Sequence, residues 1–241
     1  MKKTILPLLA SLTLCTSALG VQAFAATNDV DPDPATAETP ITATLELKDD
    51  NTDIVPPLPE PTDPDKPGGD NGTGITGRFG IAYAPSELTG SETLNDSGSQ
   101  DVALTSADAS ITSFNVGVKD TLRKQYEWTL KAKLAWNDNY MDGTTFKGTN
   151  GEVSENEDGV LKNKGTVAGI KNVIGSDLEI DDTEKSIFKA DGTATTNGVY
   201  NYGFENPKLN IPEVGNVPAG SYDGTITWNL ELAPTTPNPA P

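Results

Sequence analysis

Carboxylates are the most abundant side chains in this sequence that could do chemistry. The chain has 35 Asp and Glu residues, 17 Lys and Arg residues and no histidine. Without histidine, the Ser-His-Asp arrangement of hydrolases and histidine-ligated zinc are both excluded. A carboxylate pair could still hydrolyse a glycosidic bond, but no acidic pair falls in a recognisable catalytic motif. We therefore predict that the protein is not an enzyme, with a carboxylate-based glycoside hydrolase as the less favoured alternative.

Acidic clusters also suggest a metal site. Residues 177–182 (DLEIDD) and 154–158 (SENED) are dense in oxygen ligands, and Asp138-x-Tyr140-x-Asp142-Gly143 has the opening rhythm of a calcium loop. However, Tyr140 stands where an oxygen ligand is needed, and the closing glutamate of a calcium loop is absent from its expected position. Solvated loops are the better interpretation, so we predict neither a bound metal nor another cofactor.

Two tryptophan-containing segments have the clearest pattern in the chain. Trp128-Thr129-Leu130 and Trp228-Asn229-Leu230 each stand in a stretch where apolar and polar residues alternate. Because residues i and i+2 of a strand share a face, each Trp points the same way as its Leu. The spacing predicts two strands, 126–136 and 222–232, whose tryptophans lie inside a sandwich, where aromatic burial dominates the energetics. Direct contact of these tryptophans with a ligand is the less favoured alternative.

The body of the chain, from about residue 75 to 233, favours β structure throughout. No long segment has apolar residues at helical spacing, whereas shorter alternating segments and turn dipeptides such as Asn150-Gly151 recur. About 160 residues can bury one core, so we predict a single all-β domain, an antiparallel β-sandwich. The weaker strand candidates are 79–83, 114–118, 167–173, 178–180, 199–204 and 208–211.

The N-terminal part is organised differently. Lys2 and Lys3, an apolar run and the small residues before position 26 have the order of a secretory signal peptide over residues 1–25. The apolar run is shorter than the roughly 20 residues that span a bilayer, so a retained anchor is less favoured. The remaining predictions are a disordered N-terminus (26–39), a strand (41–47, ITATLEL), a long Pro/Asp-rich disordered loop (49–74) and a C-terminal tail (234–241).

Charge and cysteine usage limit the partners. Cys15, the only cysteine, lies in the predicted signal peptide, so the mature chain has no disulfide. Without Lys2 and Lys3 the chain has 15 basic and 35 acidic residues, a net charge of −20. This excess argues against binding nucleic acid or anionic membrane surfaces, both of which need Lys and Arg.

A local group of basic residues is the exception to this acidity, and it forms a candidate surface-binding patch for a phosphate, a carboxylate or an acidic partner. The alternative is that lysines on strand faces only prevent edge-to-edge aggregation. The residues of the patch are Lys119, Arg123, Lys124, Lys131 and Lys133.

The two Trp-x-Leu motifs, the signal peptide, the Pro/Asp-rich loop and the segment 115–120 (NVGVKD) before the first motif occur together. In this combination the chain resembles the WxL-domain cell-surface proteins of low-GC Gram-positive bacteria. It departs from the family pattern at Leu88-Thr89-Gly90, where the family usually has an aromatic-Gly pair. The resemblance implies one WxL-like β domain over residues 40–233, which includes the strand 41–47 and has the loop 49–74 within it.

The resemblance also implies a function. It implies a secreted, extracellular, cell-wall-associated protein that is not an enzyme and attaches non-covalently to peptidoglycan or an associated wall polymer. It further implies assembly with a membrane-anchored WxL-interacting protein, with other WxL proteins as further candidate partners, while the chain itself is not membrane-embedded. Two alternatives stay open, an adhesin for host extracellular matrix and a hydrolase of the wall. The motif residues that carry the resemblance are Trp128, Leu130, Trp228 and Leu230.

Overall fold

The computed structural model of the protein describes residues 41–47, 54–57, 69–108 and 110–233. The predictions of a signal peptide (1–25), a disordered segment (26–39) and a C-terminal tail (234–241) concern residues outside the described part of the chain. Residues 41–47, taken by themselves, form no strand, and Ile41 and Leu45 are 88% and 91% exposed. The strand predicted there is therefore wrong for this structure, because an alternating pattern does not by itself supply the neighbouring chain with which a strand must pair.

The described residues contain fourteen strands, and every pairing between them is antiparallel. The all-β antiparallel prediction is confirmed. In chain order the strands are β1 (Asp70–Gly72), β2 (Phe79–Pro85), β3 (Leu88–Thr89), β4 (Gln100–Ala103), β5 (Thr105–Ser106), β6 (Ser113–Asp120), β7 (Glu127–Trp136), β8 (Thr145–Glu157), β9 (Val160–Lys162), β10 (Ile170–Asn172), β11 (Leu178–Ile180), β12 (Lys185–Asp191), β13 (Gly198–Ile211) and β14 (Gly224–Leu232).

The strands form a large sheet, a smaller sheet and a short ribbon. The large sheet has the order β1-β2-β6-β13-β8-β11, with β4 paired to β13 and β9 paired to β8. The smaller sheet has the order β10-β12-β7-β14, and β3 pairs with β5. Two 3₁₀ helices, Asn139–Met141 and Val214–Asn216, complete the described elements, none of which is a helix long and apolar enough to cross a membrane.

Aromatic rings from both sheets meet in one core. The ring of Trp128 on β7 lies 5.4 Å from that of Phe188 on β12, in an edge-on arrangement. It also lies 6.3 Å from Tyr200 and 6.4 Å from Phe79, which belong to the large sheet. Contacts of this geometry add to the free energy gained from burying the rings. The two sheets therefore pack face to face, as the predicted sandwich requires.

The opposite face of the large sheet carries a buried polar network. The Tyr83 hydroxyl donates to Asn201 Oδ1 (3.0 Å), and Asn201 Nδ2 donates to Asn115 Oδ1 (3.0 Å) and to Ser154 Oγ (3.2 Å). Asn115 in turn donates its backbone N–H (2.7 Å) and its side-chain amide (2.9 Å) to the Asp70 carboxylate. Because these buried groups have partners, the network avoids the cost of an unsatisfied polar group.

Part of the predicted Pro/Asp-rich loop is ordered against this face. Ile54 packs against the cluster formed by Ala82, Tyr83 and Val199, and the Val55 carbonyl accepts a hydrogen bond from Asn156 Nδ2 (2.8 Å). Asp70–Gly72, also within the predicted loop, forms β1 and pairs with β2. The prediction of no regular pairing is wrong at these three residues. The prolines that block pairing end at Pro67, and the chain beyond them can donate its N–H groups to a ladder.

The turn predicted at Asn150-Gly151 lies inside β8, a strand that the sequence analysis missed. Asn150 takes a left-handed conformation (φ 58°) without ending the strand. Gly151 is required there because an added Cβ would come within 2.0 Å of the Tyr202 hydroxyl. The candidates 199–204 and 208–211 are likewise parts of one irregular strand, β13. In both places a β-bulge accommodates residues that are typical of a turn, so that the strand continues through them.

The buried Asp70 carboxyl should make the stability depend on pH. Burial raises the pKa of Asp70 to about 7, although hydrogen bonds from Asn115 lower it. The folded state then holds this proton more tightly than the unfolded chain, so stability falls as the pH rises from about 4 to about 7. At about 1.4 kcal/mol for each unit of pKa, the loss amounts to ~4 kcal/mol.

The Asp70→Asn variant has the same shape and cannot ionise. Its stability should therefore not show this loss between about pH 4 and about pH 7. Urea denaturation of both proteins between about pH 5 and about pH 8 measures the free energy of unfolding as a function of pH. The difference between the two profiles gives the contribution of Asp70 apart from that of the other carboxylates. Identical pH profiles would show that Asp70 ionises normally in the folded protein.

Candidate functional site

The fold brings the two Trp-x-Leu motifs together on neighbouring strands. β7 and β14 pair along their whole length, with Leu230 directly opposite Leu130, Leu232 opposite Trp128, and Trp228 opposite Ala132. Direct cross-strand neighbours on one face are in side-chain contact. The two motifs, one hundred residues apart in the sequence, therefore form one antiparallel unit in the smaller sheet.

The first motif is buried completely. Trp128 is 0% exposed, and its indole N–H donates to Asp120 Oδ2 (2.9 Å) at the end of β6. The Tyr126 hydroxyl (3.0 Å) and the Leu122 backbone N–H (3.3 Å) donate to the other oxygen of the same carboxylate. The predicted core position of Trp128 is confirmed, and Leu130 is buried beside it. The sequence analysis missed the role of Asp120, whose only signal is an acidic residue ending an apolar alternating strand.

The second motif is less deeply placed because β14 is the last strand of its sheet. Trp228 and Leu230 are half-buried and pack against the core, whereas Leu232 is 54% exposed. The prediction that both tryptophans lie in one interior therefore holds fully for Trp128 and only in part for Trp228. An edge strand has a neighbour on one side only, so its side chains are covered from one side.

Trp228 lines an open groove of about 590 Å³ between β14 and the chain around β3. Apolar side chains, among them Trp136 and Trp228, line the groove together with polar ones such as Ser86, Ser221 and Thr225. The Trp136 indole donates to Thr144 Oγ1 (2.6 Å), while no described residue accepts a hydrogen bond from the Trp228 indole. Gly224 faces Trp136 across the sheet, where a Cβ would come within 2.7 Å of the ring. We call this feature the β14 groove.

The predicted basic patch is not one surface. Lys119 is 1% exposed, so its placement in a surface patch is wrong. The alternation of β6 directs it to the same face of the large sheet as Asn115, where Lys119 has an interaction partner. Arg123 and Lys124 lie in the loop before β7, where Arg123 Nε donates to Asn197 Oδ1 (3.4 Å) and the Lys124 carbonyl accepts from the backbone N–H of Thr196 (3.2 Å).

Lys131 and Lys133 lie on the outer face of the smaller sheet. The Lys131 ammonium is 2.6 Å from a Glu231 oxygen and 3.6 Å from a Glu184 oxygen. The hydrogen bond to Glu231 raises the pKa of Lys131. Lys133 is exposed on the same face, so this face carries charges of both signs.

The acidic clusters have structural roles. Asp138 accepts from the Tyr140 backbone N–H (2.9 Å) and begins a 3₁₀ helix. Burial alone would raise the pKa of Asp181, but hydrogen bonds from Lys185 and Thr183 bring it down to about 2. Among the described residues, no group of His, Cys, Asp and Glu side chains could hold a metal ion. The interpretation as solvated loops fits residues 138–143, which form a turn and a 3₁₀ helix. It is wrong for the other two clusters, because residues 178–180 form β11 and residues 154–157 lie within β8, where pairing with neighbouring strands keeps the chain extended.

The unequal burial of the two tryptophans predicts unequal losses of stability. Trp128→Ala removes a fully enclosed ring and should cost roughly 3–5 kcal/mol. Trp228→Ala removes a ring that is already partly in water and should cost about 1–2 kcal/mol, which leaves a folded protein. Urea denaturation of both variants measures the difference. Losses of equal size would mean that β14 is covered in solution by something beyond the described residues.

Comparison with known proteins agrees with this geometry. Residues 33–234 match the family model described as WxL domain surface cell wall-binding. No curated protein and no solved structure matches the chain significantly. The match covers most of the chain, including the whole described sandwich with both Trp-x-Leu strands. The chain therefore belongs to the WxL-domain family of surface cell wall-binding proteins.

Proposed function

We propose that the protein is secreted, attaches non-covalently to peptidoglycan or an associated wall polymer, and assembles with a membrane-anchored WxL-interacting protein. The observation that supports this proposal is the position of the two motifs within one wall-binding domain. Trp128, Leu130 and Leu230 pack in or against the core, so the motif residues maintain the fold. Recognition is then left to the surfaces that the two motif strands present.

The outer face of the β7–β14 pair is the candidate surface for the wall polymer. Lys131 and Lys133 are the basic residues of the predicted patch that lie on this face. Asn229 donates to Glu184 (3.3 Å) and to Glu231 (3.2 Å), and Lys131 on β7 forms an ion pair with Glu231 on β14, so a polar network joins the two strands across their outer side. A polar face with exposed lysine can contact an extended polymer carrying phosphate or carboxylate groups.

A role without catalysis is supported by the state of the buried carboxylates. Asp120 accepts hydrogen bonds from Trp128, Tyr126 and the backbone of Leu122. Asp70 accepts two hydrogen bonds from Asn115. A general acid or base must instead reach the proton that it transfers on a substrate. These two groups are the most enclosed acidic side chains among the described residues, and both are hydrogen-bonded within the fold.

Cosedimentation tests the proposed function. Purified full-length protein should sediment with isolated Gram-positive cell walls without covalent linkage, and denaturant should release it. Addition of the extracellular part of a membrane-anchored WxL-interacting protein should increase the sedimented fraction. Failure to sediment with walls under either condition would contradict wall attachment, and loss of wall turbidity on incubation would favour the hydrolase alternative instead.

Reversal of one charge tests the outer face. Lys133→Glu should reduce the wall-bound fraction several-fold, because it replaces a cation with an anion on the proposed contact face. Lys162→Glu on β9 is the matched control, since it makes the same charge change on the other sheet. Equal retention of both variants, with unchanged thermal unfolding, would remove this face from the proposal.

A further inference from the structure

The β14 groove lies beside an open sheet edge. β14 pairs with β7 on one side, and no described strand pairs with its other side. The other strands at the ends of the two sheet paths, β1, β10 and β11, have three residues each, whereas β14 has nine. The long open edge of this sandwich is therefore the one next to the groove.

This edge lacks the features that usually protect a strand from pairing. Natural edge strands are blocked by Lys, Pro, bulges or short length. β14 contains no Lys and no Pro, and its register against β7 has no shift. Its one charged residue, Glu231, is already paired with Lys131. The edge thus offers a regular row of backbone N–H and C=O groups to an incoming strand.

The side chains next to the edge have the spacing that an added strand needs. Ile226 and Trp228 are half-buried and both line the groove, two residues apart. Alternate side chains of an added strand would meet them with the same period. The free indole N–H of Trp228 is a further donor at this edge, since no described residue accepts from it.

Charge indicates which kind of strand fits. The charged side chains among the described residues that line the groove are Glu87 and Asp223, both acidic and exposed. The whole chain has a net charge of −18, so a second copy, or any acidic segment, is repelled. A cationic segment is attracted by the same charges.

We propose that the β14 groove binds an extended segment of a partner protein, which adds to the β14 edge as a strand, places alternate apolar side chains over Ile226 and Trp228, and carries Lys or Arg at its ends. This inference rests on the proposed assembly function and gives the chemistry of the partner. The aliphatic side chains of the lining, which include Leu88 and Leu104, favour contact with apolar side chains over the hydroxyl groups of a glycan.

A synthetic peptide tests this with the full-length protein. The probe is acetyl-Lys-Val-Thr-Val-Thr-Val-Lys-amide, titrated by calorimetry at low and high salt. The control peptides have Glu at both ends, or Pro at the central position, where it removes a backbone donor. The Lys-ended peptide should bind, salt should weaken its binding, and each control should bind at least about tenfold more weakly.

Matched variants locate the binding site. Ile226→Gln replaces an apolar side chain in the groove, whereas Thr227→Gln makes a similar change on the opposite face of the same strand. Ile226→Gln should weaken peptide binding by about tenfold or more, and Thr227→Gln by less than about twofold. Circular dichroism confirms that both variants fold.

Other outcomes would overturn the inference. Absence of peptide binding, or equal binding by both variants, would exclude strand addition at this edge. Binding that appears only in the Leu45→Asp variant would mean that residues 41–47 of this chain take the place of the partner. Concentration-dependent oligomers that Ile226→Gln abolishes would identify a second copy, and chitooligosaccharide binding that Ile226→Gln abolishes would identify a glycan. Wall cosedimentation is measured separately, so its failure remains distinguishable from failure here.

Discussion

The burial of Trp128 against the Asp120 carboxylate is the interaction on which the rest of the sandwich depends. The ring contacts both sheets, and a buried indole N–H without an acceptor would offset much of the free energy gained by burying it. Asp120 supplies that acceptor and also binds Tyr126 and the backbone of Leu122. The end of β6, the following loop and the start of β7 are thereby held in one place, and β14 is aligned on β7.

The two Trp-x-Leu motifs therefore have different roles in the structure. In β7, with a neighbour on each side, Trp and Leu fill the core. In β14, at the edge, the same residue types are half-buried and form one wall of an open groove. The two motif strands are therefore paired in space, but the motif side chains of β7 are enclosed and those of β14 are partly exposed to solvent. The enclosed strand stabilises the sandwich, and the edge strand leaves part of its surface accessible.

The sequence-based predictions were correct for strands whose own residue pattern is sufficient to make the segment extended. They failed for segments whose conformation depends on pairing with other strands. β7 and β14 were predicted because period-two alternation over many residues has no helical alternative. β8 was missed because Asn150-Gly151 is typical of a turn. In the structure the chain stays extended there because pairing with β13 continues on either side of the two residues and Gly151 is hydrogen-bonded to Ser176 and Asn172. Residues 41–47 show the converse, since an alternating segment forms no strand without a partner.

The sequence by itself determined the fold class, the two motif strands, the faces on which their residues lie, and the family to which the chain belongs. Local alternation and residue type are sufficient for these because they depend on few neighbours. Only the tertiary structure decided that the motifs pair, that Asp120 holds Trp128, that Lys119 is buried and that β14 borders a groove. Those features depend on contacts between residues that are far apart in the chain. The order and register of the strands create these contacts, and neither can be predicted from the residues of a single segment.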